Sequence, residues 1–471
     1  MKNLNQLTLR GAKQGLKNRE FSSVELTTAC LEQVNKHNQD LNVFITITEK
    51  QALESAKRAD ELIADKQDLP LLGIPVALKD LFSTKGVRTT AASNVLKNYI
   101  PPYDATVVKK IKDAGAVIIG KTNLDAWAHG SSGENSDFGP TKNPWDKKYV
   151  PGGSSSGSAV SVASDMCISA TGTDTGGSIR LPAGFNNIVG LKPTYGRVSR
   201  YGIVAMASSL DSIGHFTKTV EDSALFFNVT AGQDPMDATT LPAPAEDFTR
   251  DLDKDIAELR IGIPQEFVTK DLDKEVREGF EKSVKILENL GAKITEVSLP
   301  HTEYGIAAYY IIQPSEVSSN LARYDGIRYG NGRGAFGDEA RRRIMLGTFT
   351  LSSGYYDAYY KKAMQVRTLI KKDFDDAFLK VDALVSPVCP TLPWKLGEKI
   401  NDPLKMYLSD ALTVTANIAG IPGLAVPAGF SVNHLPIGIQ IMGKQLSETL
   451  LFQIGNAFEK QSNYYKLKPN L

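Results

Sequence analysis

Between Val150 and Arg180 the chain reads VPGGSSSGSAVSVASDMCISATGTDTGGSIR, and no other stretch restricts its folding so tightly. Two clusters of glycine and hydroxyl residues, Gly152–Ser158 and Gly172–Ser178, are joined by the small residues of Ala159–Thr171, where Asp165 is the single charge. Glycine admits positive φ and lets backbone approach a ligand closely. Consecutive free N–H groups in such turns form concavities that hold anions. Hydroxyls beside them are candidate nucleophiles or proton relays. Either cluster alone is explained as a Gly/Ser loop beside an Ala/Ser-rich helix. Two so close together, with so little charge between them, put a built site level with that plainer reading.

Around this stretch the pattern is that of a layered α/β protein. Ser22-Ser23-Val24-Glu25 reads as a capping box, and Leu26, Cys30, Leu31 and Val34 follow on one helical face. Residues 1–70 are expected to be helical. The apolar run Leu72–Leu78 is the first strong strand, and it delivers Lys79 and Asp80 at its end. A short helix over Thr106–Asp113 leads through Gly115 into a buried strand, Ala116–Ile119. Further on, strands at Leu259–Ile263, Ala292–Leu299, Ala383–Ser386, Gly420–Pro427 and Pro436–Gly443 alternate with helices at Asp273–Leu290 and Tyr355–Val381. Length alone leaves room for about three domains. The alternation, with no repeat and no disordered linker, argues instead for a single large α/β domain: a central mixed sheet with helices on both faces.

Composition closes several alternatives. Lys plus Arg is 54 against 53 acids, a net charge of +1, which makes no electrostatic case for nucleic-acid binding by the chain as a whole. Three cysteines without CxxC spacing argue against a disulfide framework or a zinc site. The first residues are broken by charges, and no apolar run is long enough to span a bilayer. A cytoplasmic protein without a membrane segment is the expectation.

Two motifs match in letters and fail in physics. Gly115-Ala-Val-Ile-Ile-Gly-Lys-Thr122 fits a P-loop, yet its intervening residues favour a buried strand, not a loop wrapping phosphates. Gly153-Ser-Ser-Ser-Gly157 fits a nucleophile elbow centred on Ser155, but Lys147–Pro151 is a poor strand to precede it. None of the five histidines (His37, His129, His215, His301, His434) is marked by its context as a base. Lysine is the next candidate, because Ser–Lys pairs are a variant of the serine triad. It must be desolvated to work as a base near neutral pH. Lys79, closing an apolar strand, has the right context; a surface lysine at a strand end is the plainer reading of that residue alone.

Gly152-Gly-Ser-Ser-Ser-Gly-Ser158, Gly172-Thr-Asp-Thr-Gly-Gly-Ser-Ile-Arg180 and Gly190-Leu-Lys-Pro-Thr194, with Gly73-Ile-Pro-Val-Ala-Leu-Lys-Asp80 upstream, resemble the amidase signature family. The resemblance covers nearly the whole chain. The segments Tyr195–Arg200, Ala207–Asp211, Phe349–Tyr360 and Pro436–Gln440 are similar to the family's ammonia-supplying branch, the glutaminases of tRNA-dependent amidotransferases. The resemblance implies a Ser–cisSer–Lys triad, with Ser178 as nucleophile, Ser154 as proton relay and Lys79 as terminal base. It places the oxyanion donors at the N–H groups of Thr175, Gly176, Gly177 and Ser178, and Asp174 and Arg180 as holders of the loop. For glutamine it implies Arg343 on the α-carboxylate, Asp410 on the α-amine, and Tyr309 lining the pocket. It divides the domain into a helical part (1–70), a signature and catalytic core (71–215) and the remaining sheet, helices and substrate pocket (216–471). Three departures stand out: Ser156 where the family usually has glycine, the loop His129–Glu134, and a shorter segment over Gly330–Glu339.

The implied activity is hydrolysis of glutamine to supply ammonia for converting Glu-tRNA(Gln), and in some systems Asp-tRNA(Asn), to the amidated form. No cofactor or metal is implied for this chain. ATP and Mg2+ would be used by a heterotrimer with B and C subunits, in which the B chain holds the misacylated tRNA. The alternatives are a stand-alone amidase acting on another small amide, and a scaffold whose triad has decayed. Retention of Lys79, Ser154 and Ser178 together speaks against decay.

Overall fold

Eleven strands join into one mixed sheet in the computed structural model, which describes residues 3–244, 246–324 and 330–471. They are β1 (Phe44–Ile47), β2 (Pro75–Lys79), β3 (Val117–Thr122), β4 (Ser169–Asp174), β5 (Val189–Lys192), β6 (Ser212–Thr217), β7 (Arg260–Pro264), β8 (Lys293–Val297), β9 (Ala383–Pro387), β10 (Gly423–Phe430) and β11 (Pro436–Gly443). Their order is β1-β3-β2-β4-β6-β5-β10-β11-β9-β7-β8. β2 runs parallel to both β3 and β4, and β7 parallel to β8 and β9; the remaining pairs are antiparallel.

Strand side chains alternate between two faces, and each face has its own core. Val76, Leu78, Val189, Leu191, Leu424, Val426, Ile439 and Ile441 pack with the helices Leu9–Lys17, Thr106–Asp113, Val220–Thr230 and Glu448–Ser462 on one side. Ala77, Ala170, Phe216 and Ala425 face the helices Ser23–Leu41 and Ser156–Ala163 on the other. Leu384 and Met442 continue that second face under the helices Gly305–Asn320 and Lys362–Ala377. The expected single α/β domain with helices on both faces is what forms. Among the described residues, no helix is long and apolar enough to cross a membrane.

Local signals hold closely. Ser22 accepts from the Glu25 N–H, and the Glu25 carboxylate caps the Ser22 N–H in return. The P-loop lookalike is strand, as its residues demand: β3 continues through Gly120 and Lys121 to Thr122. Lys121 is fully buried, its amine 2.5 Å from Phe82 O, 2.7 Å from Thr89 Oγ1 and 3.5 Å from Asp80, so it is not free to meet a phosphate.

Two elements differ from expectation. The stretch read as purely helical contains β1, which follows a left-handed turn at Asn42 and is fixed by Asn38 Oδ1 accepting from the Val43 and Phe44 N–H groups. The helix expected over Tyr355–Val381 begins as a π-helical turn, Asp357–Lys361, and is α-helical over Lys362–Ala377.

Gly120 is a glycine because β1 crowds it, not because a phosphate must approach. A Cβ there would meet Thr46 O at 2.5 Å and Phe44 Cδ1 at 2.8 Å. Gly120→Ala is therefore expected to lower stability by about 1–3 kcal/mol through overpacking, read as a lower urea midpoint at unchanged slope. An unchanged midpoint would contradict the close approach of β1.

Candidate active site

Parallel pairing of β2 and β4 brings their C-terminal ends to the same edge of the sheet, and Lys79 and Thr173 stand there. Lys79 is fully buried. Its backbone N–H donates to Thr171 Oγ1 at 3.0 Å, and its amine lies 2.9 Å from Ser154 Oγ, 2.9 Å from Ser155 Oγ and 2.7 Å from Thr173 Oγ1. Burial pushes its pKa down to about 7, against the pull of the negative charges on Asp125, Asp174 and Asp211. An amine so placed is partly neutral at physiological pH and has a lone pair for a hydroxyl proton.

Ser154 follows a cis peptide from Gly153 and is fully buried. Gly153 donates its N–H to Ser131 O at 2.9 Å, and a Cβ at this position would overlap the Asp125 carboxylate. That carboxylate is fixed in turn by the N–H groups of Gly133 and Asn135 at 2.9–3.1 Å. Ser155, the centre of the elbow lookalike, is not exposed as an elbow nucleophile must be: its hydroxyl meets Lys79, and its N–H donates to Ser178 O at 3.3 Å. This last bond ties the two glycine/serine clusters together. Ser156 opens the helix Ser156–Ala163, its hydroxyl 3.3 Å from Thr141 Oγ1.

Ser178 sits in the turn from β4 into the helix Arg180–Asn186, and it is the least buried of the three candidates at 8% exposure. Asp174 organises this turn. Its carboxylate accepts from the Gly177 N–H at 2.9 Å, the Ile179 N–H at 3.1 Å, Arg180 Nε and Nη2 at 3.1 Å, and Asn417 Nδ2 at 2.9 Å. Burial opposes its charge, but the Arg180 guanidinium, Lys192 and Asn417 outweigh that and hold its pKa down at about 2. Arg180 also reaches Gln440 Oε1 at 2.8 Å, Asn417 Oδ1 at 2.7 Å and Thr413 O at 3.0 Å.

One expected oxyanion donor is committed elsewhere. The Gly177 N–H points at Asp174, while the N–H groups of Thr175, Gly176 and Ser178 have no partner among the described residues. The turn is pinned from outside by Thr175 Oγ1 on Asp211 and by Thr413 Oγ1 on Gly176 O, both at 2.6 Å.

Arg343, Asp410 and Tyr309, distant in sequence, converge beside this turn. Tyr309 is buried against Gly176, where a Cβ would meet its ring at 2.7 Å. Its neighbour Tyr310 donates to Asp410 Oδ2 at 3.0 Å, and Ser131 donates to Asp410 Oδ1 at 2.7 Å. Burial still pushes Asp410 up to about 7. Arg343 donates to Glu339 Oε1 and Gln313 Oε1, each at 2.8 Å, and its guanidinium lies over the rings of Tyr310 (5.2 Å) and Tyr407 (5.5 Å). A cavity of about 770 Å³ opens on Arg343, Tyr407, Glu339 and His129.

Several site groups escaped the sequence reading: Thr173, Asp125, Asp211, Ser131, Tyr310, Tyr407 and Thr413. Only Thr173 left a signal, since Thr171 and Thr173 alternate onto one face of β4 beside the strand that ends in Lys79. As for the histidines, His215 is bonded to Ser223 at 2.8 Å and His301 to Asp373 at 2.8 Å, and neither is bonded to Ser178.

A buried lysine, two serine loops and an aromatic pocket on an eleven-stranded mixed sheet define an amidohydrolase type of site. The Amidase family model matches residues 25–452, and the chain belongs to the amidase family. It is 51% identical to the A subunit of the glutamyl-tRNA(Gln) amidotransferase of Carboxydothermus hydrogenoformans, over 99% of both chains. It is 49% identical to the corresponding A subunit from Desulfatibacillum aliphaticivorans, over 99% of this chain and all of that one. The crystal structure of the glutamyl-tRNA(Gln) amidotransferase A subunit from Thermotoga maritima superposes with a TM-score of 0.84 at 43% identity, covering 98% of this chain and 96% of that one. A bacterial aryl acylamidase at 24% identity shares the fold, with a TM-score of 0.87 over 98% of each chain.

Asp174→Ala strands the fully buried Arg180 without its carboxylate and frees the turn that carries Ser178. A loss of roughly 3–5 kcal/mol is expected, the usual cost of breaking a buried ion pair on one side. Chemical unfolding measures it, and a loss below about 1 kcal/mol would show that the pair does not hold the turn.

Proposed function

We propose that this chain is the glutamine-hydrolysing component of a tRNA-dependent amidotransferase, with Ser178, Ser154 and Lys79 as its reacting groups. The observation that carries the reading is the Lys79 amine, partly neutral near pH 7 and 2.9 Å from the Ser154 hydroxyl in the cluster tied to the Ser178 turn. Full-length similarity to the A subunits of glutamyl-tRNA(Gln) amidotransferases supports the choice of reaction.

In this reading the Ser178 hydroxyl attacks the side-chain carboxamide carbon of glutamine, and its proton passes to Ser154 while the Ser154 proton passes to Lys79. The oxyanion formed is met by the uncommitted N–H groups of Thr175, Gly176 and Ser178; each such donor is worth roughly 3–4 kcal/mol of barrier. Collapse breaks the C–N bond, and the leaving nitrogen takes the proton back along the same path to depart as ammonia. Water, deprotonated through Ser154 and Lys79, then cleaves the acyl-Ser178 ester and releases glutamate. Arg343 holds the α-carboxylate and ionised Asp410 the α-ammonium group, with Tyr309 closing the pocket beside the turn. In a heterotrimer with B and C subunits, ammonia passes to the B chain, which holds Glu-tRNA(Gln) or Asp-tRNA(Asn) and activates its carboxyl group with ATP and Mg2+. This chain needs no cofactor of its own for these steps.

Ammonia release from glutamine, by the chain alone and co-expressed with B and C subunits, tests the assignment beside Ser178→Ala. Activity that needs Ser178 and rises with misacylated tRNA and ATP is expected. Cleavage of simple aryl or aliphatic amides through Ser178, with glutamine untouched in the full assembly, would sink the reading in favour of a stand-alone amidase.

The pH profile follows from two groups. Lys79 must be neutral to accept a proton, and Asp410 must be ionised to hold the ammonium; both conditions are gained as pH rises through about 7. The plot of log(kcat/KM) against pH is therefore expected to climb with a slope approaching two on the acid side, and with a slope of one in Asp410→Asn. A slope of one in the unsubstituted enzyme would remove Asp410 from the binding step.

A further inference from the structure

The Arg343 end of the pocket holds more hydrogen-bond donors than its own contacts use. Gln313, on the helix Gly305–Asn320, is fully buried; its Oε1 accepts from Arg343 Nη1 at 2.8 Å, and its Nε2 has no partner. Arg343 spends Nε on Glu339 and Nη1 on Gln313, which leaves Nη2 uncommitted among the described residues. His129 is likewise fully buried, lines the same cavity as Arg343, and has neither ring nitrogen partnered. Buried donors are desolvated at a cost that only a partner offsets. Three such groups, two on the cavity-lining residues Arg343 and His129 and one on Gln313 directly behind Arg343, point to a ligand that supplies acceptors.

The backbone at His129 supports the same conclusion. Trp127 and Ala128 both adopt left-handed φ, +60° and +64°, a region costly for residues with a Cβ and concentrated at binding sites. The Trp127 ring, stacked on Phe336 at 5.3 Å and packed on Tyr324 at 5.1 Å, anchors the segment. Just after it, Ser131 bonds Asp410. The turn thus presents His129 to the cavity and Ser131 to the group assigned to the ammonium.

The charge balance defines the ligand. Glu339 beside Arg343 already offsets its charge. Burial, and then Arg343, hold His129 well below its ordinary pKa, so its ring is neutral and adds no second cation. A multiply charged anion such as a phosphate ester would lack a counter-charge here. A single carboxylate, flat and with two oxygens, suits one shared cation and two neutral N–H donors.

We propose that His129 and Gln313 are specificity-determining residues that, together with Arg343 Nη2, hold the α-carboxylate of the amino-acid amide. The assignment rests on the glutaminase reading for the identity of the ligand, but its donors are defined by the cavity and by the Gln313 contact with Arg343.

Glutamine and 4-aminobutanamide, which has the same carboxamide and amine but no carboxylate, are the probes. Their binding to the Ser178→Ala protein, co-expressed with its partner subunits where these are needed for folding, is measured by calorimetry. His129→Leu and Gln313→Glu are each expected to lose about tenfold or more of the preference for glutamine over the analogue, the scale of a hydrogen bond to a charged group. His129→Asn, which keeps an N–H donor, should recover part of it. The melting temperature of His129→Leu without ligand should not fall, because an unpartnered polar group has been removed. If both variants keep the full preference, or if glutamine does not bind the Ser178→Ala protein, the proposal is overturned. Binding that depends on His129 in a protein that never releases ammonia would leave the cradle standing and remove only the hydrolytic reading.

Discussion

Everything at this site depends on an amine buried without a carboxylate in contact. Among the described residues three lysines are buried completely, Lys79, Lys121 and Lys192, and burial lowers the pKa of each. Their neighbours distinguish them. Lys121 sits 3.5 Å from Asp80, with a carbonyl and two threonine hydroxyls around it. Lys192 donates to the carbonyls of Pro193 and Ile421, which accept a proton bond but have no proton to pass. Lys79 meets three hydroxyls. Desolvation alone therefore does not mark a base; desolvation among hydroxyls with no carboxylate in contact does.

The second constraint is the strut that keeps the Ser178 turn in register with that amine. Asp174 and Arg180 sit at the two ends of the turn and close on each other. Arg180 then reaches Thr413, Asn417 and Gln440, residues from the last part of the chain. Because β10 pairs with β5 and the helix Val414–Ala419 lies over the same region, the far end of the sequence is locked onto the turn that carries Ser178. A buried ion pair with every remaining donor satisfied is weak as a source of stability but strong as a fixer of geometry. Here it fixes which N–H groups of the turn are left uncommitted.

That distribution explains what was legible in the sequence. The strand delivering Lys79, the two clusters, the capping box at Ser22 and the strand character of the P-loop lookalike are local properties, carried by residue type and spacing. Arg343, Asp410 and Tyr309 came only through resemblance, and the structure brings them together beside Gly176. Commitment of the Gly177 N–H to Asp174 was not legible, because glycine allows a turn without saying where its N–H points. Nor were Ser131, Tyr310 and Thr413, whose partners lie 100 to 279 residues away in the chain. β1 was hidden for a different reason: four residues between two helices are too few for a periodicity to emerge.

The buried carboxylates around Lys79 complete the account of its basicity. Asp125 and Asp211 are both pushed up by burial, to about 6, yet backbone N–H groups and Thr175 keep them from rising further. Near neutral pH both are ionised, and their charges lift the amine from where desolvation alone would leave it. Below about 6 they take up protons just as Lys79 is becoming fully charged, so the compensation vanishes when it is most needed. Lys79, held below its ordinary value, costs stability as it becomes charged on lowering pH towards about 7, whereas Asp125 and Asp211, held above theirs, favour the folded chain as they take up protons below about 6. One small group of buried residues thus sets the pH at which an amine among three hydroxyls is neutral.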